Sequence, residues 1–547
     1  MHPFAIATLI LCATTPHASA QQIEKSPHLA LGGKVPLIKT EAQLRTFLDD
    51  LEAQRFLLTT GLGIESYHQW LGNSPHLVSQ FTRLNNQLLG RKDYAAVIER
   101  WLGKVKDSQL ARRLDVQRTD FLISRANPQD ILTLGESQVK LQDAVLAFRY
   151  SFGGKRVTMT ELGETLRLQP DRTQRREAFL ANAQAAKANK GRILACMRLN
   201  DRIGRSQGFL NGADANLQIQ GLNRRQALKD LEDFERSTRP MMQELLAQVR
   251  RDLKLDTAQA WDIDYWLHQQ EIKGGIDPWS REAGVPRLKE LMTALGFEPE
   301  KRMIGLDVRD VPVGGIAFPT RPAFESRLLT NPFSGSEFYI TLFHEYGHAL
   351  HGVLINPKLP PGLLNVDPAP LSEGVAECLG HFAYDHNWLA RAAGVSTERA
   401  AQLERIGKLQ LLLWLRRTIC LNSWVEIRAY DNLNADLDAL YAEGFRKFML
   451  CELPKGHFFG MIEVYGTSPL YLTSYLYGNM VATQLRAAMK SEFGVEDLSS
   501  ESRVGPWISK HIFFPGLSIP WSKKILLSTG KPLGVDALSK YLDAAPR

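Results

Sequence analysis

Apolar residues recur at helical spacing along most of this chain, and this pattern constrains the fold more than any other feature of the sequence. It is clear over residues 226–253, where Pro240 predicts a break or kink, and over residues 400–430, where few helix breakers occur. Side chains at this spacing share one face of a helix, so each segment predicts a helix that packs by that face. Strand candidates are sparse, the best being residues 315–318 and 327–330. We therefore expect a mainly α fold.

Residues 21–547 contain no internal repeat, low-complexity tract, long linker or change of composition. Hydrophobic residues make up 44% of the chain, which is enough for a large core and excludes a disordered, collagenous or disulfide-scaffold protein. We expect one large helical domain over residues 21–547, built from two lobes. The four cysteines of this segment form no C-x-x-C pair, which excludes a cysteine zinc finger and leaves buried thiols and disulfides both open.

The chain is basic, with 66 Lys and Arg residues against 59 Asp and Glu residues and a formal net charge of +7. Acidic and basic residues are interleaved, and no long block of like charges occurs. Because nucleic-acid-binding proteins concentrate their basic residues in one patch or tail, we expect no nucleic-acid partner.

The first twenty residues contain no Lys, Arg, Asp or Glu, and an apolar stretch over residues 4–13 precedes A-S-A at positions 18–20. This order predicts a secretory signal peptide over residues 1–20, cleaved before Gln21, and hence a periplasmic or secreted protein. A lipid anchor on Cys12 is disfavoured because Leu11 is larger than the small residue that such a signal prefers. No segment reaches the roughly 20 apolar residues needed to span a bilayer, so we expect no stable membrane insertion after cleavage.

The segment TLFHEYGHALH, residues 341–351, carries the strongest chemical signature. On a helix, His344 and His348 lie one turn apart on one face, where both imidazoles can bind one metal ion while Glu345 acts on a water molecule. A helix is expected independently, because the S-x-x-E pattern that begins at Ser334 fits a capping box. The alternative is a pair of surface histidines.

A catalytic zinc needs a third protein ligand, and a second helix can supply it. Prolines are frequent over residues 357–370, after which LSEGVAECL, residues 371–379, has helical spacing. Glu373 and Glu377 share a face one turn apart among apolar neighbours, where carboxylates are costly without partners. Zinc would be the partner of Glu373, and a zinc-bound histidine the partner of Glu377. The alternative is a solvated face with two glutamates.

These motifs resemble those of a known group of enzymes. TLFHEYGHALH with a glutamate at position 373 is similar to the thimet oligopeptidase, neurolysin and oligoendopeptidase family of zinc peptidases, with a more distant likeness to angiotensin-converting enzyme. The runs at residues 198–209 and 261–265 also resemble the oligopeptidases, and the likeness covers about residues 190–500. It implies a large, two-lobed helical metallopeptidase fold with a deep substrate channel, a small edge β-sheet near the zinc helix and one Zn²⁺ per chain.

The resemblance also implies where a substrate lies. In the converting enzymes, a short edge strand ahead of the zinc helix pairs with the extended substrate, and Gly315 and Ala317 stand at the matching distance before His344. Binding there would use backbone hydrogen bonds and would select side chains weakly. The alternative is an ordinary buried strand or turn.

The run from Tyr465 to Gly478 resembles the family stretch that starts with histidine and reaches a catalytic tyrosine ten residues later. Tyr475 falls at that tyrosine and would donate a hydrogen bond to the oxyanion. Tyr465 replaces the histidine, so either its phenol or the imidazole of His457 takes that role. Tyr471 is expected to contact the substrate, unless it only packs.

The resemblance implies a zinc metallopeptidase that cleaves oligopeptide substrates, with Glu345 as general base. The converting enzymes hold a C-terminal carboxylate with a lysine and a tyrosine, whose positions are Glu463 and Leu472 here, which argues against dipeptide release by that device. Lys455 or an arginine elsewhere in the cleft could replace it. The alternatives are a carboxypeptidase or dipeptidyl carboxypeptidase with other carboxylate-binding residues, and a zinc-containing peptide-binding protein without turnover.

Overall fold

A computed structural model describes the chain from residue 35 to residue 543, apart from residues 36, 73–75, 274–277, 312 and 461. The expected signal peptide, residues 1–20, lies outside the described residues. Helix accounts for 70% and strand for 5% of the structure, so the prediction of a mainly α fold with a small sheet is confirmed. None of the described helices is both long and apolar enough to cross a membrane.

The first half of the chain is helical apart from one small hairpin. Its elements are α1 (Glu41–Trp70), α2 (His76–Leu89), α3 (Lys92–Trp101), α4 (Ser108–Phe121), α5 (Pro128–Leu146), β1 (Tyr150–Phe152), β2 (Lys155–Val157), α6 (Met159–Leu168), α7 (Arg172–Ser206), α8 (Gly212–Ile219), α9 (Arg224–Asp252) and α10 (Ala260–Ile272). Helix α9 continues through Pro240, so of the predicted break or kink at this proline the break does not occur.

The second half contains the larger sheet and the helices that form the site. Its elements are α11 (Arg281–Ala294), β3 (Met303–Val308), β4 (Gly315–Arg321), β5 (Glu325–Thr330), α12 (Ser336–Val353), α13 (Ala369–Gly380), α14 (His386–Ala392), α15 (Thr397–Trp414), α16 (Leu421–Ala429), α17 (Leu437–Met449), α18 (Val464–Thr467), α19 (Tyr471–Phe493), α20 (Val504–Ile508), α21 (Trp521–Thr529) and α22 (Asp536–Asp543). A π-helical turn, Leu415–Cys420, joins α15 to α16 without a break, which accounts for the long helical pattern over residues 400–430.

The larger sheet has the strand order β3-β5-β4, so β4 lies at one edge. Strand β4 is antiparallel to β5, with Ala317 opposite Leu328, whereas β3 runs parallel to β5. The side chains of β4 alternate, because successive residues of a strand face opposite sides. Ile316 and Phe318 are buried in a cluster with Tyr67 of α1, which leaves the intervening residues to face the other side.

Close helix contacts at glycines hold α12, α13 and α19 together. A Cβ atom on Gly347 of α12 would lie 2.8 Å from Cα of Ala376 of α13, and a Cβ atom on Gly478 of α19 would lie 2.9 Å from Cβ of Glu373. Side chains larger than glycine would separate these helices. The main hydrophobic core surrounds all three, and a smaller core between Ile38 and Phe121 stabilises the N-terminal helices.

Helix α12 begins one residue later than the sequence pattern indicates. Its N-cap is Gly335, which has a φ of 71° and offers no side chain to cap the helix, so the capping box predicted at Ser334 is wrong. The hydroxyl of Ser336 instead donates a hydrogen bond to Oε1 of Glu271, 2.7 Å away. The start of α12 is therefore fixed to the end of α10 by a tertiary contact.

The four cysteines of the described chain, Cys196, Cys378, Cys420 and Cys451, are all buried free thiols. The sequence left both buried thiols and disulfides open, and among the described residues no disulfide forms.

Candidate metal centre and active site

Helix α12 presents its two histidines on one face. His344 and His348 lie one turn apart, and their Nε2 atoms are 3.1 Å from each other. The face is available because apolar neighbours of α12, such as Leu342, Phe343 and Leu350, are buried in the main core. Amphipathic spacing thus anchors the helix and directs both imidazoles into a cavity.

Glu373 of α13 completes a group of three metal-ligand atoms. Its Oε2 lies 3.3 Å from Nε2 of His344 and 3.7 Å from Nε2 of His348. Ligand atoms of all three residues lie within 4.8 Å of one another. Tetrahedral zinc with bonds of about 2.0–2.2 Å would hold its ligand atoms about 3.4 Å apart. The three distances between ligand atoms here, 3.1, 3.3 and 3.7 Å, lie on both sides of that value.

The hydrogen bonding and the ionisation of the Glu373 carboxylate also favour a bound cation at this place. The side chain is buried, and its Oε2 has no hydrogen-bond partner among the described residues. A buried carboxylate oxygen rarely lacks a partner, and a metal ion between two imidazoles would be that partner. Burial opposes ionisation of Glu373, but His348 and His344 outweigh it and hold its pKa below the ordinary value, so the carboxylate is charged as a ligand must be.

The other ring nitrogens of the two histidines also have partners. Nδ1 of His344 lies 3.6 Å from Oε1 of Glu377, as the sequence predicted, and Nδ1 of His348 lies 3.1 Å from Oγ of Ser372. Such contacts fix the orientation of ligand imidazoles. Burial raises the pKa of Glu377 to about 7. The sequence analysis did not single out Ser372. Its position directly before Glu373 is the signal by which it could have been identified.

Glu345 is placed to act as a base on the cavity side of α12. It is 7% exposed and lines the cavity together with both histidines. Burial raises its pKa above the ordinary value, which strengthens the carboxylate as a proton acceptor. A Cβ atom on Gly315 would lie 2.5 Å from Cγ of Glu345, so the backbone of edge strand β4 passes directly against the base.

The cavity has a volume of about 450 Å³. Gly315 and Ala317 of β4 form part of its wall, together with residues of α12, α13 and α19. The structure therefore brings the expected substrate strand, the three metal-ligand candidates and the candidate base to one cavity.

Two tyrosines of α19 line the same cavity, and their roles differ. The hydroxyl of Tyr471 donates a hydrogen bond to Oε1 of Glu373, 2.5 Å away, so it orients the ligand candidate. The ring of Tyr475 packs edge-on between Tyr471 and Trp414, at centroid distances of 5.8 and 5.3 Å. Burial raises the pKa of Tyr475 well above its ordinary value, which keeps the phenol protonated as a hydrogen-bond donor.

Tyr465 lies outside this site, and its expected role as a catalytic donor is wrong. Its side chain is fully buried, and its hydroxyl donates a hydrogen bond to Oδ1 of Asn422, 2.5 Å away. His457 does not replace it, because its side chain is 56% exposed and pairs with Asp438 at 3.5 Å. Neither residue lines the cavity.

Comparisons with known proteins find one family model that matches part of this chain and solved structures that share its fold. Residues 165–282 match the model of peptidase family M3. Among solved structures, an M32 carboxypeptidase from Deinococcus radiodurans R1 superimposes with a TM-score of 0.66 at 12% identity, over 91% of this chain and 98% of that one. A carboxypeptidase from Pyrococcus furiosus superimposes with a TM-score of 0.64 at 12% identity, over 93% and 99% of the two chains. No curated protein sequence matches the chain. The resemblance of this chain to the zinc oligopeptidase family of metallopeptidases is thus confirmed.

Proposed function

We propose that this protein is a zinc-dependent metallopeptidase that hydrolyses peptide bonds in short oligopeptides. The observation that supports this most is the convergence of His344, His348 and Glu373 on one point, with Glu345 beside them in the same cavity. Two histidines and one carboxylate with an open position are the ligand set of catalytic zinc in peptidases. The contact of Tyr471 with Glu373 and the unpartnered Oε2 support a built metal site.

In this proposal His344, His348 and Glu373 hold the ion, which when bound polarises the scissile carbonyl and acidifies the attacking water. Glu345 accepts the proton of that water and passes it to the leaving amine. Tyr475 donates a hydrogen bond to the oxygen of the carbonyl as negative charge develops on it.

The substrate would lie along β4. An edge strand offers unpaired backbone groups to an extended peptide, and here that backbone passes the base. The cavity volume of about 450 Å³ falls in the range that encloses small ligands. Both features favour short, flexible peptides over folded proteins.

A carboxypeptidase is the second candidate, because the two solved structures compared above, which share this fold over nine-tenths of the chain, are carboxypeptidases. Mass spectrometry of the products that the zinc-loaded protein forms from peptides with a free or an amidated C-terminus would separate the two modes. Internal cleavage of both forms supports an endopeptidase, whereas release of single residues from the free form alone supports a carboxypeptidase. Bound zinc with no cleavage of any peptide would contradict the proposed function and leave a peptide-binding protein.

We also propose that the protein is exported, on the basis of residues 1–20. The N-terminus of the protein isolated from its natural source should then be Gln21. A mature chain that still begins at Met1 would contradict this.

A further inference from the structure

Arg167 is the one lysine or arginine, within the described part of the chain, that lines the cavity. It lies near the C-terminal end of α6 and is half-buried. Its guanidinium forms no hydrogen bond or ion pair with the residues that the structure describes. A guanidinium on the cavity wall that makes no direct hydrogen bond or ion pair with the described residues can donate to a ligand.

The wall next to Arg167 is one face of α10. Asp264, His268 and Glu271 line the cavity from this helix, because residues three and four apart share a face. Glu271 already accepts hydrogen bonds from the hydroxyls of Ser336 and Tyr384, at 2.7 and 3.0 Å.

Asp264 lies on the same wall but makes no direct ion pair with Arg167, because another arginine already binds it. Arg417 donates to both oxygens of Asp264, at 2.7 and 3.2 Å. Burial alone would raise the pKa of Asp264, but the charge of Arg417 and, more weakly, that of Arg167 outweigh it and lower the pKa, so this carboxylate is ionised. Both oxygens of Asp264 are thus taken by Arg417, and the N–H donors of Arg167 have no hydrogen-bond partner among the described residues.

A second polar group on the same wall also has no partner. Nδ1 of His268 is buried and forms no hydrogen bond with the described residues. Burial lowers the pKa of His268, and the nearby charge of Arg167 lowers it further. The imidazole is therefore neutral, and it lines the same cavity as Arg167.

We propose that Arg167 binds a carboxylate of the peptide substrate, with His268 as a second polar contact. This rests on the proposed function, because it assumes that peptides occupy the cavity. The guanidinium presents N–H donors in a planar fork that matches a carboxylate. The carboxylate is either the C-terminus of the peptide or the side chain of an Asp or Glu residue, and the experiment below distinguishes them.

The test measures peptide binding to the zinc-loaded, full-length mature protein that carries Glu345→Gln, so that no peptide is cleaved. Two pairs of peptides are titrated by calorimetry: acetyl-trialanine as the free acid or the amide, and acetyl-Ala-Glu-Ala-amide or its Gln analogue. Arg167→Gln should weaken binding of the acidic member of one pair about tenfold or more and leave the neutral member unchanged. The pair that responds identifies the source of the carboxylate.

Two further variants make the result specific. Arg167→Lys keeps the charge and should recover part of the affinity. Arg225→Gln removes the same charge from an exposed position outside the cavity wall and should leave all four dissociation constants unchanged.

The proposal is overturned if Arg167→Gln changes no dissociation constant, weakens acidic and neutral peptides equally, or if no acidic peptide binds with Arg167 present. Cleavage of peptides by the wild-type protein is measured separately. Cleavage without an Arg167 effect overturns the carboxylate site alone, whereas absence of cleavage contradicts the proposed function.

Discussion

The hydroxyl of Tyr471 donates a hydrogen bond to Oε1 of Glu373 across 2.5 Å, although the two residues are 98 positions apart in the chain. This bond leaves Oε2 of the same carboxylate facing His344 and His348. Gly478 allows the contact, because it brings α19 against the backbone of Glu373. The orientation of the third ligand candidate thus depends on a helix that carries no ligand.

Replacement of Tyr471 by Phe should weaken zinc binding by on the order of 10–100-fold, the usual effect of losing a partner of a metal ligand. Competition with a chromophoric chelator measures this affinity. Tyr465→Phe, which removes a phenol hydroxyl from outside the cavity, is the control and should bind zinc as the wild type does. Equal zinc affinity in wild type and Tyr471→Phe would show that the hydrogen bond does not orient Glu373.

Tyr475→Phe should instead lower kcat, because it removes the donor assigned to the developing oxyanion. The expected loss is about 10²–10³-fold, the size found when one such donor is removed. Steady-state hydrolysis of a fluorogenic peptide measures it, with KM changing little. A kcat within about threefold of the wild type would assign the oxyanion to another group.

Glu345→Gln should lower kcat/KM by on the order of 10²–10⁴-fold, since the amide cannot accept the proton of the attacking water. Elemental analysis should still find one zinc ion per chain, because Glu345 lies outside the ligand group. Retained activity would mean that the base is assigned to the wrong residue. Loss of zinc would mean that Glu345 supports the metal site.

Tyr465→Phe should reduce stability and leave catalysis intact. The substitution leaves Oδ1 of the buried Asn422 without its donor, at a cost of about 1–3 kcal/mol in the free energy of unfolding. Urea unfolding measures this cost, and kcat should match that of the wild type. A large fall in kcat in a folded Tyr465→Phe protein would instead support the role of catalytic hydrogen-bond donor that the sequence suggested for Tyr465.

The buried His351 should make stability depend on pH. Burial lowers its pKa despite its contact with Asp367 at 3.1 Å, so the folded protein keeps it neutral. Below about pH 6.5 the unfolded chain binds a proton that the folded chain does not, which lowers the free energy of unfolding by up to about 1.4 kcal/mol per pH unit.

His351→Gln abolishes this titration, so the destabilisation that it causes should be largest at pH 7.5 and smaller at pH 5.5. Urea unfolding of both metal-free proteins at the two pH values provides the comparison. A stability difference that stays constant or grows as the pH falls would contradict the assignment.

The helical fold and the two histidines were predictable because their signals are local. Spacing along one helix places His344 and His348 on one face, and the same rule places Glu373 and Glu377 on the next helix. That the two faces meet depends on the close approach at Gly347, which spacing alone does not reveal.

The errors arose where tertiary contacts decide the outcome. The short helix α18 turns Tyr465 into the core, and Leu470, with a φ of 61°, redirects the chain before α19 carries Tyr475 to the cavity. Alignment of Tyr465 and Tyr475 with a family pattern gives their positions along the chain. It does not show which of the two side chains enters the core and which enters the cavity. Arg167 was not singled out, because α6 and α10 meet only in the folded chain.

Zinc titration of the metal-free protein, with hydrolysis of an internally quenched peptide followed at each addition, tests the central claim most directly. Activity should rise with added zinc and reach its plateau at one equivalent per chain. One equivalent of tightly bound zinc without hydrolysis, or hydrolysis that does not depend on the metal, would contradict the proposal that this protein is a zinc-dependent peptidase.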